Sequence, residues 1–329
     1  MKKLVKKLLL YCIPFVLVFA LFLAFEPYDY FGLRGSSDYL SAPLSLMRQL
    51  EREQPDQIIL GDSRMANLNV SYIQELTGEP VQMMAFGGAE TGEIIELFWY
   101  AAEHTQLKKV VLGLNLYSML GEQGKGRIPA MEEMASDTGK FIIHGGHWLQ
   151  AMNSGKMQLK NWLGGLLNRP DWMEYPEDPT DYTLVQNIPQ EQGERYRADL
   201  EEYLNSLLIK LSAANEVQEE TMEDILAIIR YCKEKEIELV IVFPPLHISV
   251  WELYDELGLL PEMEQMKAVL KAEAPVIDME FPNDFTTNDD NFFDGFHLVS
   301  EKKLFLAKAI FTDLEDPCIQ RTEPEGGKS

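Results

Sequence analysis

A three-layer α/β/α domain built on a parallel sheet is the fold class that the sequence predicts. Three observations predict it. Short, fully apolar runs rich in Val and Ile recur along the chain; stretches of helical period lie between them; and Gly, Pro or polar residues close most of the runs. Strands joined by helical crossovers are covered on both faces, so they read as continuous apolar runs rather than as alternating ones.

In chain order, residues 26–55 read as a linker leading into a first helix at about 41–53, started by Ser41 or Pro43. The α/β domain is expected over 56–314. Gln57–Gly61 (QIILG) has the pattern of a buried strand, and Val81–Phe86 (VQMMAF) is a second candidate, closed by Gly87-Gly88. Glu90–His104 carries Ile94, Ile95, Leu97, Phe98 and Ala101 at helical spacing, and Lys109–Asn115 (KVVLGLN) is a third strand. Glu220–Glu236 predicts a helix, Glu238–Phe243 (ELVIVF) a strand stopped by Pro244-Pro245, and Trp251–Ala272 a helix. Pro275–Asp278 is a short strand and Ser300–Leu314 a closing helix with Ser300 as its cap. This gives about five parallel strands in a flavodoxin-like arrangement. Residues 120–195, rich in Gly, Pro and Trp, break the rhythm and read as an insertion over one edge of the sheet, either a functional lid or a structural cap. Residues 315–329 read as a flexible tail.

The N-terminus sets the expected compartment. Lys2, Lys3, Lys6 and Lys7 fall in a cytoplasmic tail, residues 1–7, ahead of an uncharged apolar run from Leu8 to Phe25. As a helix that run reaches about 27 Å, close to the thickness of a bilayer core. Lysines stay on the cytoplasmic side, so the reading is a single-pass membrane anchor with everything after Glu26 outside. A cleaved signal peptide is the rival. The run is long for one, and no clean small-x-small site follows it.

Composition narrows the function classes. At 329 residues, 46% apolar and 10% aromatic, the chain can bury a substantial core. A net charge of −24 argues against nucleic acid as a partner, because phosphate contacts need clustered Lys and Arg. Cys12, Cys232 and Cys318 have neither disulfide nor zinc spacing, and no cofactor or metal is expected. His144 and His147 in HGGH lack further ligands at suitable spacing, and Asn288–Asn291 (NDDN) lacks a calcium-loop pattern.

Ligands of an open parallel sheet bind beyond the carboxyl ends of its strands, so the polar residues that follow each strand are the candidates. Gly61-Asp62-Ser63-Arg64 follows the first, Gly87-Gly88 the second and Asn115 the third; Asp294-Gly295-Phe296-His297 follows the last and its polar loop. A serine hydroxyl is a weak nucleophile until an imidazole takes its proton, and a carboxylate orients that imidazole. The backbone N–H groups of Ser63 and Gly88, with the Asn115 amide, are candidate donors to an oxyanion.

These residues resemble, in order, the blocks of the SGNH (GDSL-type) hydrolase superfamily. Gly61-Asp62-Ser63 is similar to the first block, Gly88 to the second-block glycine, Gly113-x-Asn115 to the third and Asp294-x-x-His297 to the fifth. The resemblance covers about residues 56–313 and implies Ser63, Asp294 and His297 as catalytic groups. It also implies an oxyanion hole from Ser63, Gly88 and Asn115. Two departures are Met83, where many members have Asn ahead of the second-block glycine, and Arg64, in place of the usual apolar residue. The GDSR form behind an anchor looks more like the branch with the D-alanyl transfer protein of teichoic-acid modification and the alginate-type O-acetylation proteins. That likeness implies an acylated donor, an envelope glycan acceptor and a membrane-bound O-acyltransferase as partner.

Each residue also has a structural reading. Ser63 can cap the helix beginning near Arg64, His297 can be a hydrogen-bonded core histidine, and Asn115 a turn residue. Asp62 reads as a loop carboxylate. Arg64 either contacts an anionic or sugar substrate or pairs with an acid, and His247 is a second candidate for the pocket rim. Trp148, Trp162 and Trp172 either stack on sugars or pack the insertion. Three functions stay open at this point: an extracytoplasmic O-acyltransferase, a carbohydrate esterase or deacetylase, and a catalytically silent envelope-assembly or binding protein.

Overall fold

The computed structural model describes residues 2–35, 42–121, 123–169, 200–211, 216–292 and 294–324. Within them the apolar runs pair into one sheet of six strands. In chain order these are β1 (Gln57–Leu60), β2 (Gln82–Met83), β3 (Lys109–Gly113), β4 (Glu238–Phe243), β5 (Val276–Asp278) and β6 (Gln320–Thr322). Their spatial order is β2-β1-β3-β4-β5-β6. The first five strands are parallel, with β1 flanked by β2 and β3 in the registers Ile58↔Gln82 and Ile58↔Val110. The order therefore reverses at β1, and in open parallel sheets ligands bind beyond the carboxyl ends of the strands at such a switch point. The sixth strand is antiparallel to β5.

The helices are α1 (Lys2–Phe25), α2 (Pro43–Glu53), α3 (Ser63–Ala66), α4 (Val70–Thr77), α5 (Thr91–His104), α6 (Leu116–Met119) and α7 (Ile128–Ser136). They continue as α8 (Thr138–Ile143), α9 (Gly145–Leu166), α10 (Leu200–Leu211), α11 (Glu219–Glu234), α12 (Ile248–Glu256), α13 (Leu260–Glu273) and α14 (Ser300–Phe311).

Two compact units are present: Met1–Arg52 with Pro129–Pro179, and Glu53–Ile128 with Thr180–Ser329. The second is the α/β unit. Successive strand residues point to opposite faces, so Ile59, Val111, Val242 and Ile277 line one side of the sheet, where they cluster with Met65, Ile73, Leu306 and Ile310 of α3, α4 and α14. The opposite side is covered by α5 on β1 and α11 on β4. Burial on both faces explains why β3 and β4 are apolar throughout their centres.

The first unit is helical and its core is aromatic. The Tyr30 ring stacks on Phe141 with centroids 3.9 Å apart, and Phe22 stacks on Trp148 at 4.2 Å. Tyr30 Oη donates to the Met134 carbonyl (2.8 Å), and Trp148 Nε1 donates to the Ile142 carbonyl (2.6 Å), so both polar tips are satisfied. Such stacked pairs add about 0.5–1.5 kcal/mol each beyond the area they bury.

Several expectations need correction. Lys2, Lys3, Lys6 and Lys7 are helical and lie in the first turns of α1. Among the described residues no helix is long and apolar enough to cross a membrane; the side chains of Leu8 and Leu9, which complete the apolar run, lie outside that description. The expected helix over 251–272 is two helices, α12 and α13. They part at Gly258, whose φ of +70° ends the first, and Pro261 lies in the first turn of the second. Ser300 is the first helical residue of α14, and Val299 is its N-cap. The second strand is only Gln82–Met83, because an edge strand gains a ladder on one side alone. The insertion is not an irregular loop where it is described: 128–166 form α7, α8 and α9. Residues 170–195 of it, with Trp172, and Ser41 lie outside the described residues. The tail 315–329 is not flexible throughout, since 320–322 form β6.

Candidate active site

The geometry starts at the end of β1. Gly61 has φ of +148°, and a Cβ there would come within 2.6 Å of Met65 Cγ; one on Gly113, at the end of neighbouring β3, would come within 2.2 Å of the same atom. Both glycines thus make room for the Met65 side chain, which locks the turn into α3 against the sheet. Asp62 is the N-cap of α3: its Oδ1 accepts from the Arg64 N–H (3.0 Å) and its Oδ2 accepts from Asn115 Nδ2 (2.8 Å). Ser63 is the first helical residue, where a backbone N–H has no intrahelical acceptor.

From the far end of the sequence, His297 reaches this turn. Its Nε2 lies 2.7 Å from Ser63 Oγ, across 234 positions in the chain. Its Nδ1 lies 2.8 Å from Asp294 Oδ2. An ionised carboxylate only accepts, so Nδ1 carries the hydrogen and Nε2 presents its lone pair to the serine hydroxyl. Asp294 Oδ1 accepts from the backbone N–H groups of Phe296 and His297, both at 2.7 Å. Burial pushes the Asp294 carboxyl upward, but electrostatic attraction to the His297 ring and the hydrogen bonds from His297 and Phe296 outweigh it, and the net shift is downward. The group stays ionised at neutral pH.

Asn115 is the N-cap of α6, with Oδ1 accepting from the Ser118 N–H (2.8 Å). One Nδ2 hydrogen goes to Asp62. Gly88 is exposed at a turn with φ of +64°, and no atom lies within 4 Å of where a Cβ would stand, so the backbone there is open to a substrate. The structure brings Ser63, His297 and Asp294 into one hydrogen-bonded chain and ties Asn115 to it through Asp62.

Arg64 and His247 stand elsewhere. Of the two readings of Arg64, contact with substrate and pairing with an acid, the structure gives the second: its side chain is 3% exposed, 3.5 Å from Asp62 and 3.9 Å from Glu280, and its guanidinium lies over the Phe296 ring at 5.4 Å. The tight turn into α3 directs residue 64 inward, so it props the Asp294–His297 loop from beneath. His247, the candidate for the pocket rim, is buried and braces the same loop. Its backbone N–H donates to the Gly295 carbonyl (2.9 Å), while its ring nitrogens meet Ser249 Oγ at 2.8 Å and Asp289 Oδ1 at 3.0 Å. Asp289 of the NDDN stretch thus fixes a histidine. His147 packs against Phe141 and bonds its carbonyl (2.9 Å). Among the described residues no group of acids, His and Cys is placed to hold a metal.

Three supports escaped the sequence reading. Arg127 donates through Nη2 to the Gly88 carbonyl (3.1 Å) and is fixed by Glu93, with Nε–Oε1 at 2.9 Å and Nη2–Oε2 at 2.8 Å. Glu93 lies on a capping box with Glu90, a pattern that reads as helix capping alone. Behind Arg64, the buried Glu280 and Asp278 share Lys267 (Nζ–Oδ1 2.9 Å), and Lys271 caps Asp278 at 2.8 Å. Lys303 lines a cavity of about 10 Å³ beside Arg64, room for a single water, and burial lowers its pKa to about 8. Neither lysine stands out in the sequence, since Glu264 and Lys271 flank Lys267 and Glu301, Lys302 and Lys308 flank Lys303.

No family model matches the chain, and a comparison with curated proteins finds no match either.

Proposed function

We propose that this chain is a membrane-anchored, extracytoplasmic, serine-dependent acyltransferase of SGNH type acting on an envelope glycan or polymer. The observation that carries the reading is the continuous chain Ser63 Oγ–His297 Nε2–His297 Nδ1–Asp294 Oδ2, with links of 2.7 and 2.8 Å. As an acyl ester arrives, His297 Nε2 takes the Ser63 proton while Oγ bonds to the acyl carbon. The carbonyl oxygen becomes an oxyanion, within the reach expected of the Ser63 and Gly88 N–H groups and the second Asn115 Nδ2 hydrogen. Collapse breaks the ester bond as His297 returns its proton to the departing alkoxide, leaving acyl-Ser63 and a free alcohol. An acceptor hydroxyl then repeats the steps in reverse, with His297 as base and Asp294 holding the imidazolium. Water in place of that hydroxyl makes the same machinery an esterase.

A fluorophosphonate probe tests the reading. Labelling of the wild type, absent in Ser63→Ala, is the expected result; an unlabelled wild type overturns it and favours a silent envelope protein. An aryl acetate offered with and without an oligosaccharide separates transfer from hydrolysis, with acetylated sugar expected. The anchor rests on the lysines followed by Leu8–Phe25. The protein is expected to stay in membranes through an alkaline carbonate wash, and its bulk to be cut by protease added outside spheroplasts.

A further inference from the structure

The peptide unit that follows Ser63 is gripped at both edges by side chains. Its N–H, that of Arg64, donates to Asp62 Oδ1 (3.0 Å). Its carbonyl, that of Ser63, accepts from Asn67 Nδ2 (2.7 Å). A carbonyl oxygen only accepts, so the Asn67 amide presents its nitrogen here. Asn67 is 4% exposed and is the C-cap of α3, where its own backbone N–H reaches the Met65 carbonyl.

The length of α3 gives this grip its importance. An α-helix leaves its last four carbonyls without regular partners, and α3 has only four residues, so the Ser63 carbonyl is one of them. The 63–64 peptide is a rigid plane, but it turns about Ser63 ψ and Arg64 φ unless groups outside a longer helix hold it. Asp62 and Asn67 do so from opposite edges. Ser63 Cα is part of that plane, so a shift of the plane is carried to Cβ and Oγ. The target of Oγ is itself fixed: His297 Nε2 lies 2.7 Å away and its ring is held from behind by Asp294.

Bonds from a cap side chain to the carbonyl four residues back occur elsewhere in the chain as plain helix endings. Thr105 Oγ1 donates to the Ala101 carbonyl (3.1 Å) after α5, and Thr312 Oγ1 to the Lys308 carbonyl (2.7 Å) after α14. The bond from Asn67 differs in where it lands, on the residue whose hydroxyl meets His297.

We infer that Asn67 is a positioning residue for the nucleophile: with Asp62 it fixes the 63–64 peptide plane, and through that plane the direction in which Ser63 Oγ meets His297. This rests on the serine-enzyme reading given above. Capping and positioning are separable, because a cap is read in stability and a positioning bond in rate. A misplacement on the order of 1 Å costs about 10²-fold.

The test sets two variants of nearly equal shape side by side in the full-length chain. Asn67→Val offers no donor, whereas Asn67→Thr offers a hydroxyl that can reach the carbonyl four residues back, as Thr105 and Thr312 do. The rate of fluorophosphonate labelling, kcat and KM on an aryl acetate, and the melting temperature are measured for each. Asn67→Val is expected to slow labelling and kcat by about tenfold to 10²-fold with KM little changed. Asn67→Thr is expected to recover most of that loss, while the two variants melt alike. Wild-type rates in Asn67→Val overturn the inference and leave Asn67 a cap alone. A loss that Asn67→Thr does not recover also overturns it, since volume and not the hydrogen bond is then felt. An unlabelled wild type defeats the serine-enzyme reading itself, a result distinct from a labelled wild type matched by Asn67→Val. If Asn67→Val does not fold, Asn67→Ala against Asn67→Ser puts the same question with smaller side chains.

Discussion

The two units of this protein are held together by different chemistry. The α/β unit is built on backbone pairing between apolar strands, and beyond the strand ends Ser63, His297 and Asp294 form one hydrogen-bonded chain. The helical unit has no sheet and relies on flat rings, Tyr30 on Phe141 and Phe22 on Trp148, with few charges inside. A sheet with a switch point leaves a crevice whatever the loops contain, whereas ring packing consumes its polar tips locally, as Trp148 Nε1 does at Ile142. The candidate site therefore lies in the unit built on the sheet, among residues beyond its strand ends.

The comparison breaks if a change in one unit is felt chemically in the other. The largest expected effect is on turnover: Asp294→Asn removes the acceptor that fixes the His297 tautomer, and ester turnover is expected to fall by about 10⁴-fold with the melting temperature barely altered. Equal activity of variant and wild type would remove Asp294 from the mechanism. Next, Phe141→Ala empties the centre of the aromatic cluster and is expected to cost about 3–5 kcal/mol in the helical unit, seen as faster hydrogen exchange in α1 and α8. Fluorophosphonate labelling of Ser63 should keep its rate; a matching loss there would merge the two units into one.

Smaller effects sharpen the picture inside the α/β unit. Arg127→Met releases the Gly88 carbonyl and is expected to lower kcat by about tenfold to 10²-fold, with KM little changed, because the turn then wanders from the oxyanion position. A rise in KM alone would assign Arg127 to substrate binding. The smallest is Lys303→Met. Burial lowers the folded pKa of Lys303 to about 8, below its unfolded value of about 10.4, so the unfolded chain binds more protons between these values. Stability of the wild type is thus expected to rise as pH climbs from about 8 to 10.4. In Lys303→Met that rise should flatten, as urea melts at several pH values would record.

Much of the α/β unit was legible because both faces of its sheet are covered: KVVLG and ELVIVF leave few alternatives to a buried strand. Ser63, Asp294 and His297 were legible from their order along the chain and their places after strands. Arg64 and His247 stayed open in the sequence because a charged or titratable side chain next to a site faces either a ligand or a buried acid, and only the turn of α3 and the path of the Asp294 loop decide. Arg127 was invisible because its partners, Glu93 and Gly88, lie more than 30 positions away. In the helical unit, aromatic residues spaced for mutual stacking read as loop composition, since ring partners carry no fixed period.

β6 gives the carboxyl-terminal segment a protective duty. Gln320, Arg321 and Thr322 lie along Val276–Asp278 and occupy amide and carbonyl groups that would otherwise face water in a row. Trimming the chain after Leu314 would uncover that rim and offer it to a strand from another molecule, so the shortened protein should clump on concentration even with its chemistry untouched.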